Sequence, residues 1–169
     1  MRGEIVKDAI EVLRSRRSIR NYTEERVPQN IIEEIVDCAR LAPTAMNDQP
    51  WDFIAVTKRE LLEQIPPMLG HAEFIAKAAF AVLVLERETC YAVEDCSAAT
   101  ENLLIAAAAH GLGACWVAGT KQAYGTVVAR AFGAPAEHQL VAIVSFGHPA
   151  EDTKVDKRPL AEVLHWEKF

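Results

Sequence analysis

No stretch of this chain approaches the roughly 20 consecutive apolar residues that a membrane-spanning helix requires. The opening Met1-Arg2-Gly3-Glu4 also lacks the apolar core of a secretory signal. These absences point to a cytoplasmic protein with no membrane partner. Positive charge is in short supply too: 24 Asp and Glu outweigh 18 Lys and Arg, leaving a net charge of −6. That balance argues against a nucleic-acid partner, because phosphate backbones are held by concentrated Lys and Arg. The four cysteines, Cys38, Cys90, Cys96 and Cys115, form no C-x-x-C pair and read as thiols of a reducing compartment. The five histidines are scattered without H-E-x-x-H or a short pairing with cysteine, so no metal site is expected. Neither G-x-x-x-x-G-K-[ST] nor G-x-G-x-x-G occurs, and any nucleotide has to be cradled some other way.

What the chain does have is apolar content. Half of its 169 residues are hydrophobic, enough for one substantial core, so a single domain over residues 1–169 is expected, with a C-terminal tail from about residue 147. Ile5, Val6, Ala9, Ile10, Val12 and Leu13 recur at helical spacing and predict an amphipathic helix over residues 4–14. A second helix starts with Pro28 near its first turn, carries Ile31, Ile32, Ile35, Val36 and Ala39, and is closed by Pro43. Prolines and polar residues make 43–50 a loop that feeds a strand over 51–57, in which Trp51 is sheet core. Short helices are expected at 61–65 and 72–77, separated by Pro66-Pro67, and the apolar run 79–85 suits a buried strand. A long central helix follows, capped by Asp95 and stopped by Gly111; then come a helix over 121–132 stopped by Gly133 and a strand over 140–146. This order lacks the strict alternation of a doubly wound sheet. It predicts an α+β protein of three layers, α-β-α, with a mixed sheet around a central helix.

Three arginines fall within the five residues Arg16-Arg17-Ser18-Ile19-Arg20, directly after a helix. Guanidinium forks bind phosphate bidentately and Ser18 can add a hydroxyl donor, so a phosphomonoester would suit them. On its own the run is equally compatible with solvated pairing to the chain's excess of Asp and Glu.

The run is followed one helix later by Ala42-Pro43-Thr44-Ala45-Met46-Asn47-Asp48-Gln49-Pro50-Trp51. After the long helix comes Gly111-Leu112-Gly113-Ala114-Cys115-Trp116-Val117, and near the end Lys157-Arg158-Pro159-Leu160 and His165-Trp166-Glu167. In this order and spacing the set resembles the nitroreductase family of FMN-dependent, NAD(P)H-using flavoproteins, over nearly the whole chain. The resemblance implies that Arg16, Arg17 and Ser18 bind the FMN phosphate, with Arg158 and Lys157 joining them from the tail. Arg20 would lie toward the pyrimidine edge of the flavin, where positive charge favours the reduced ring. Pro43, Thr44, Ala45 and Asn47 would reach the flavin from the other subunit of a homodimer; the family's two serines are here Thr44 and Ala45. Ala118 and Gly119 fall where the family places a backbone N–H near flavin N5, and Gly119 would permit close approach.

The implied activity is ping-pong transfer from NADH or NADPH through FMN to a nitroaromatic, quinone or similar small acceptor, with no catalytic side chain required. Two alternatives share these motifs: an FMN-binding redox sensor or carrier with little turnover, and another flavin chemistry such as dehalogenation or ring oxidation. The segment 60–90 leaves little room for a helical flap, which predicts an open site with loose acceptor choice. The positive residue that some family members carry near the flavin's pyrimidine edge has no clear counterpart in this sequence; His71 and Lys77 are nearby.

Overall fold

The structure is a computed structural model that describes residues 8–169, so the first half of the helix expected over 4–14 lies outside the described residues. α1 (Ala9–Ser15) begins behind Asp8, whose carboxylate accepts from the Ile10 N–H at 2.9 Å and so satisfies one of the donors a helix start leaves open. α2 (Gln29–Ala39) buries Ile32, Ile35 and Ala39 on one face. Pro28 stands just before it, as the cap, where its missing N–H costs nothing. β1 (Trp51–Val56) follows the 43–50 loop, and Trp51 is core, as expected.

The Pro66-Pro67 pair interrupts differently from the expected pattern. α3 (Arg59–Leu62) stops early and α4 (Ile65–Leu69) takes the prolines into its own first turn, where no N–H donors are needed. A single 3-10 turn covers Glu73–Lys77. β2 (Phe80–Arg87), α5 (Ala92–Ala109), β3 (Gly113–Ala118), α6 (Tyr124–Ala131) and β4 (His138–Gly147) complete the fold. α5 starts three residues ahead of Asp95, which therefore is not its cap but lies inside the helix. α6 starts later than predicted because Lys121 holds φ +61°, outside the right-handed helical region. Gly111 and Gly133, at φ +73° and +77°, are the expected stops.

The strands order β1-β2-β4-β3, and all three pairings are antiparallel. The expected mixed sheet is thus antiparallel among its four strands, and among the described residues the parallel component is the isolated bridge Ser18–Ala114. β2 and β4 are central and buried on both faces, which is why they read as continuous apolar runs. Phe80, Val82 and Val84 face α2 and α5, while Ala81, Leu83 and Leu85 face α4 and α6. Helices therefore cover both faces, giving the three layers expected. Phe80 and Phe146 stack at 4.5 Å between ring centroids on the α5 side.

Candidate functional site

After α1 the backbone turns extended at Arg16 and runs along the outer edge of β3. The Ile19 N–H donates to the Ala114 carbonyl at 3.0 Å, and the Ile19 side chain is buried over Gly113. A Cβ on Gly113 would lie 2.7–2.9 Å from three Ile19 atoms, so the glycine is what lets the run dock. The flanking arginines are left half-buried at Arg16 and Arg17 and exposed at Arg20. Arg16 Nε stands 3.5 Å from Glu101 Oε1, and the Arg17 guanidinium donates to the carbonyls of Arg14 and Arg16 at 2.8 and 2.7 Å. Arg20 lies over Phe74, 5.8 Å from the ring centroid, within cation–π range.

Residues that sequence patterns did not single out fix this run. Glu151, just beyond β4, accepts from the backbone N–H groups of Arg20 (2.7 Å) and Asn21 (3.1 Å) and from Asn21 Nδ2 (2.8 Å). The Arg20 backbone bond first, then the Asn21 side chain, hold its carboxyl below the usual range. The Tyr22 hydroxyl donates to the Ile19 carbonyl at 2.6 Å and lies 2.8 Å from Ser145 Oγ; burial pushes its phenol well above the ordinary value. A pocket of about 190 Å³ opens here, and Ser15, Arg16, Arg17, Gly113, Ala114 and Glu151 are among its lining residues, whereas Ser18 is not. The Arg16 and Arg17 guanidinium groups and the Ser15 hydroxyl beside a concavity are a donor set that fits a phosphomonoester.

Further along the same edge stands Ala118, exposed at the end of β3. The Gly119 N–H donates to the Val141 carbonyl at 2.8 Å and is therefore committed to the sheet. Bonded pairs alternate along an antiparallel ladder, so the Ala118 N–H, one residue back, faces outward. Gly119 is small for an internal reason: a Cβ there would meet the Leu140 side chain at 2.6 Å and its carbonyl at 2.8 Å. Tyr124 donates its hydroxyl to the Ala118 carbonyl, and His71 packs edge-on against Tyr124 at 5.7 Å, which brings His71 beside this strand end. Lys77 instead borders a separate groove with Arg59 and Glu63.

The Pro43–Asn47 segment lies elsewhere. Its loop is half-buried at Thr44 and Ala45, exposed from Met46 to Gln49, and holds Met46, Asn47 and Gln49 at φ +51°, +61° and +46° without a glycine. The Ala45 N–H is accepted by Asp95, near the start of α5, whereas the pocket by the arginines touches Leu104 and Ala108, near its end. Nine to thirteen helical residues separate these points, roughly 14–20 Å at 1.5 Å per residue. Lys157 and Arg158 are exposed on the tail and enter no ion pair among the described residues. Asp95 had a signal that was misread: it shares the core-facing stripe of Ala92, Cys96 and Ala99, where an acid is unexpected. Cys96 and Cys115 are buried and Cys38 half-buried, while Cys90 is exposed; burial pushes the Cys96 thiol up to about 12.

The sequence profile of the Nitroreductase family matches residues 13–88 and 67–148. A protein of Methanothermobacter thermautotrophicus, named an NADH dehydrogenase/NAD(P)H nitroreductase, is 35% identical over 99% of this chain and 91% of its own length. A crystal structure of a protein of the same name from Bacteroides thetaiotaomicron superposes with a TM-score of 0.90 at 26% identity, over 95% of this chain and 98% of that one. The FMN-dependent nitroreductase of Clostridium difficile R20291 has the same fold, with a TM-score of 0.89 at 24% identity, covering 95% of this chain and 99% of that one.

Proposed function

Because the chain belongs to the nitroreductase family, we propose that it is an FMN-dependent NAD(P)H oxidoreductase acting in the cytoplasm as a homodimer on nitroaromatic, quinone or similar small acceptors. The observation that carries this reading is the arginine run laid along the edge of β3 beside a pocket, with the outward Ala118 N–H on the same edge. Four residues of strand span about 13 Å, a length over which a ribityl phosphate and its ring can lie.

When bound, FMN would supply the two-electron redox chemistry between NADH or NADPH and the acceptor. The chain's own residues bind and orient. Arg16 and Arg17 would hold the phosphate from the pocket, with Ser18 added from the same run and Arg158 and Lys157 from the tail. Arg20 would bring positive charge to the pyrimidine edge of the flavin, and the outward Ala118 N–H would serve as the donor toward N5. Gly119 shapes that strand end through its packing on Leu140. Leu62, Ile65, Leu69 and Ile75 of the segment 60–90 are spent on the core, which leaves little of that segment to cover the site and favours loose acceptor choice.

The homodimer is supported by the separation along α5. Pro43, Thr44, Ala45 and Asn47 stand at the far end of that helix from the arginine pocket. A loop of one protomer covering the flavin of its partner unites the two halves.

The purified protein should show flavin absorption bands that bleach promptly when NADH or NADPH is added without oxygen. Steady-state rates should give parallel double-reciprocal lines. Bands that persist in the presence of both nucleotides would favour the sensor or carrier reading, and a colourless protein that rejects added FMN would overturn the flavin assignment.

A further inference from the structure

Asp95 is a buried carboxylate to which the chemistry above gives no role. It is 6% exposed, on the face of α5 that Ala92, Cys96, Ala99 and Leu103 turn to the core. One carboxylate oxygen accepts from the Ala45 N–H at 3.1 Å; the other is buried without a hydrogen-bond partner among the described residues. An acid buried with half its acceptor capacity unused is a poor choice for packing, since desolvation of the charge is incompletely offset.

What that acid holds is a loop under backbone strain. Met46, Asn47 and Gln49 all occupy the left-handed region that side-chain-bearing residues avoid. The loop's remaining bonds are largely internal: Asp48 N–H to the Ala45 carbonyl at 3.1 Å, Gln49 Nε2 to the Asn47 carbonyl at 3.2 Å. Its far end is fixed by the Arg87 guanidinium, which donates to the Gln49 carbonyl at 3.0 Å. Its near end is fixed by Asp95.

We infer that Asp95 is the positioning residue that keeps residues 43–47 in the strained shape required to cover the partner's flavin. The inference rests on the flavin-site reading and adds to it a residue whose cost to the fold is offset by a preorganised site.

Amide exchange on the flavin-free protein tests the tether directly. In the wild type the Ala45 amide should exchange slowly while that of Met46, exposed in the same loop, exchanges fast. Equal, fast exchange at both would overturn the tether without any variant. Asp95→Ala should speed exchange at Ala45 and weaken FMN binding roughly tenfold or more, the scale of one lost charge-assisted bond. Its flavin-free thermal midpoint should be unchanged or higher. Asp95→Asn retains an oxygen for the Ala45 N–H and should restore both slow exchange and most of the affinity. Overturning results are an Asp95→Ala protein that exchanges and binds like the wild type, or one that loses affinity only in step with its thermal midpoint and is not rescued by Asn. Should the wild type bind no FMN, the flavin-site reading fails by itself, and the exchange data still decide what Asp95 does to the loop.

Discussion

A methyl group at Gly113 would sit 2.7–2.9 Å from the Cβ and both γ-carbons of Ile19, atoms that a β-branched side chain cannot swing away. Ile19 is the link between Ser18 and Arg20, and its N–H is bonded to Ala114. Pushing it outward moves the arginines with it. Gly113→Ala should therefore lower stability by about 1–3 kcal/mol, the range for overpacking a tight site, and weaken FMN binding at the same time. Urea denaturation and flavin titration of the one variant check both effects. Lost stability with unchanged affinity would mean that the cation seat does not depend on how Ile19 docks. Acid acts on the same region through Glu151. Its lowered carboxyl contributes stability above its unfolded value, and that contribution is lost as pH falls through the folded one.

Among the elements, β1, β2 and β4 are joined at one end by side chains as well as by the ladder. His138, at the start of β4, is nearly buried; its Nε2 lies 2.8 Å from Asp52 Oδ2 on β1, and Arg87 of β2 approaches the same carboxylate at 3.9 Å. His138 Nδ1 has no hydrogen-bond partner among the described residues, with Glu137 Oε1 3.9 Å away. Asp52→Ala would leave both ring nitrogens without a hydrogen bond in a buried place, with an expected loss of about 1–3 kcal/mol by chemical denaturation; Asp52→Asn should recover part of it. The strands and α5 were legible in the sequence because their apolar runs match buried strands and a central helix. The errors lay where one residue outweighs a pattern: Asp95 serves a distant loop instead of a cap, Lys121 has the wrong φ for a helix, and Pro66-Pro67 open a helix instead of separating two. The arginine run was legible as a cation seat. Its place along β3 was not, because the Ser18–Ala114 bridge and the Glu151 clamp join segments far apart in the chain. For the same reason the sequence does not reveal that the Gly119 N–H is bonded to the Val141 carbonyl and leaves the outward donor to Ala118.

At the scale of the whole molecule, apolar side chains stand uncovered among the described residues. Ile10 and Leu13 are exposed on α1, and the tail beyond β4 shows Leu160 (69% exposed), Val163, Leu164, Trp166 (79%) and Phe169. A tail of that composition without a core beneath it is suited to cover a neighbour, and the distance between the 43–47 loop and the arginine pocket calls for the same neighbour. Sedimentation should show a dimer even when the protein is dilute. Truncation after Pro159 keeps Lys157 and Arg158 but removes the apolar end. It should shift the protein toward monomer and strip most of its FMN, while the far-ultraviolet circular dichroism of the sheet and helices persists. A truncated chain that stays dimeric with tight FMN would remove the tail from the interface. A wild-type monomer that holds FMN tightly would remove the interface itself, and with it the assignment of the 43–47 loop to the partner's flavin.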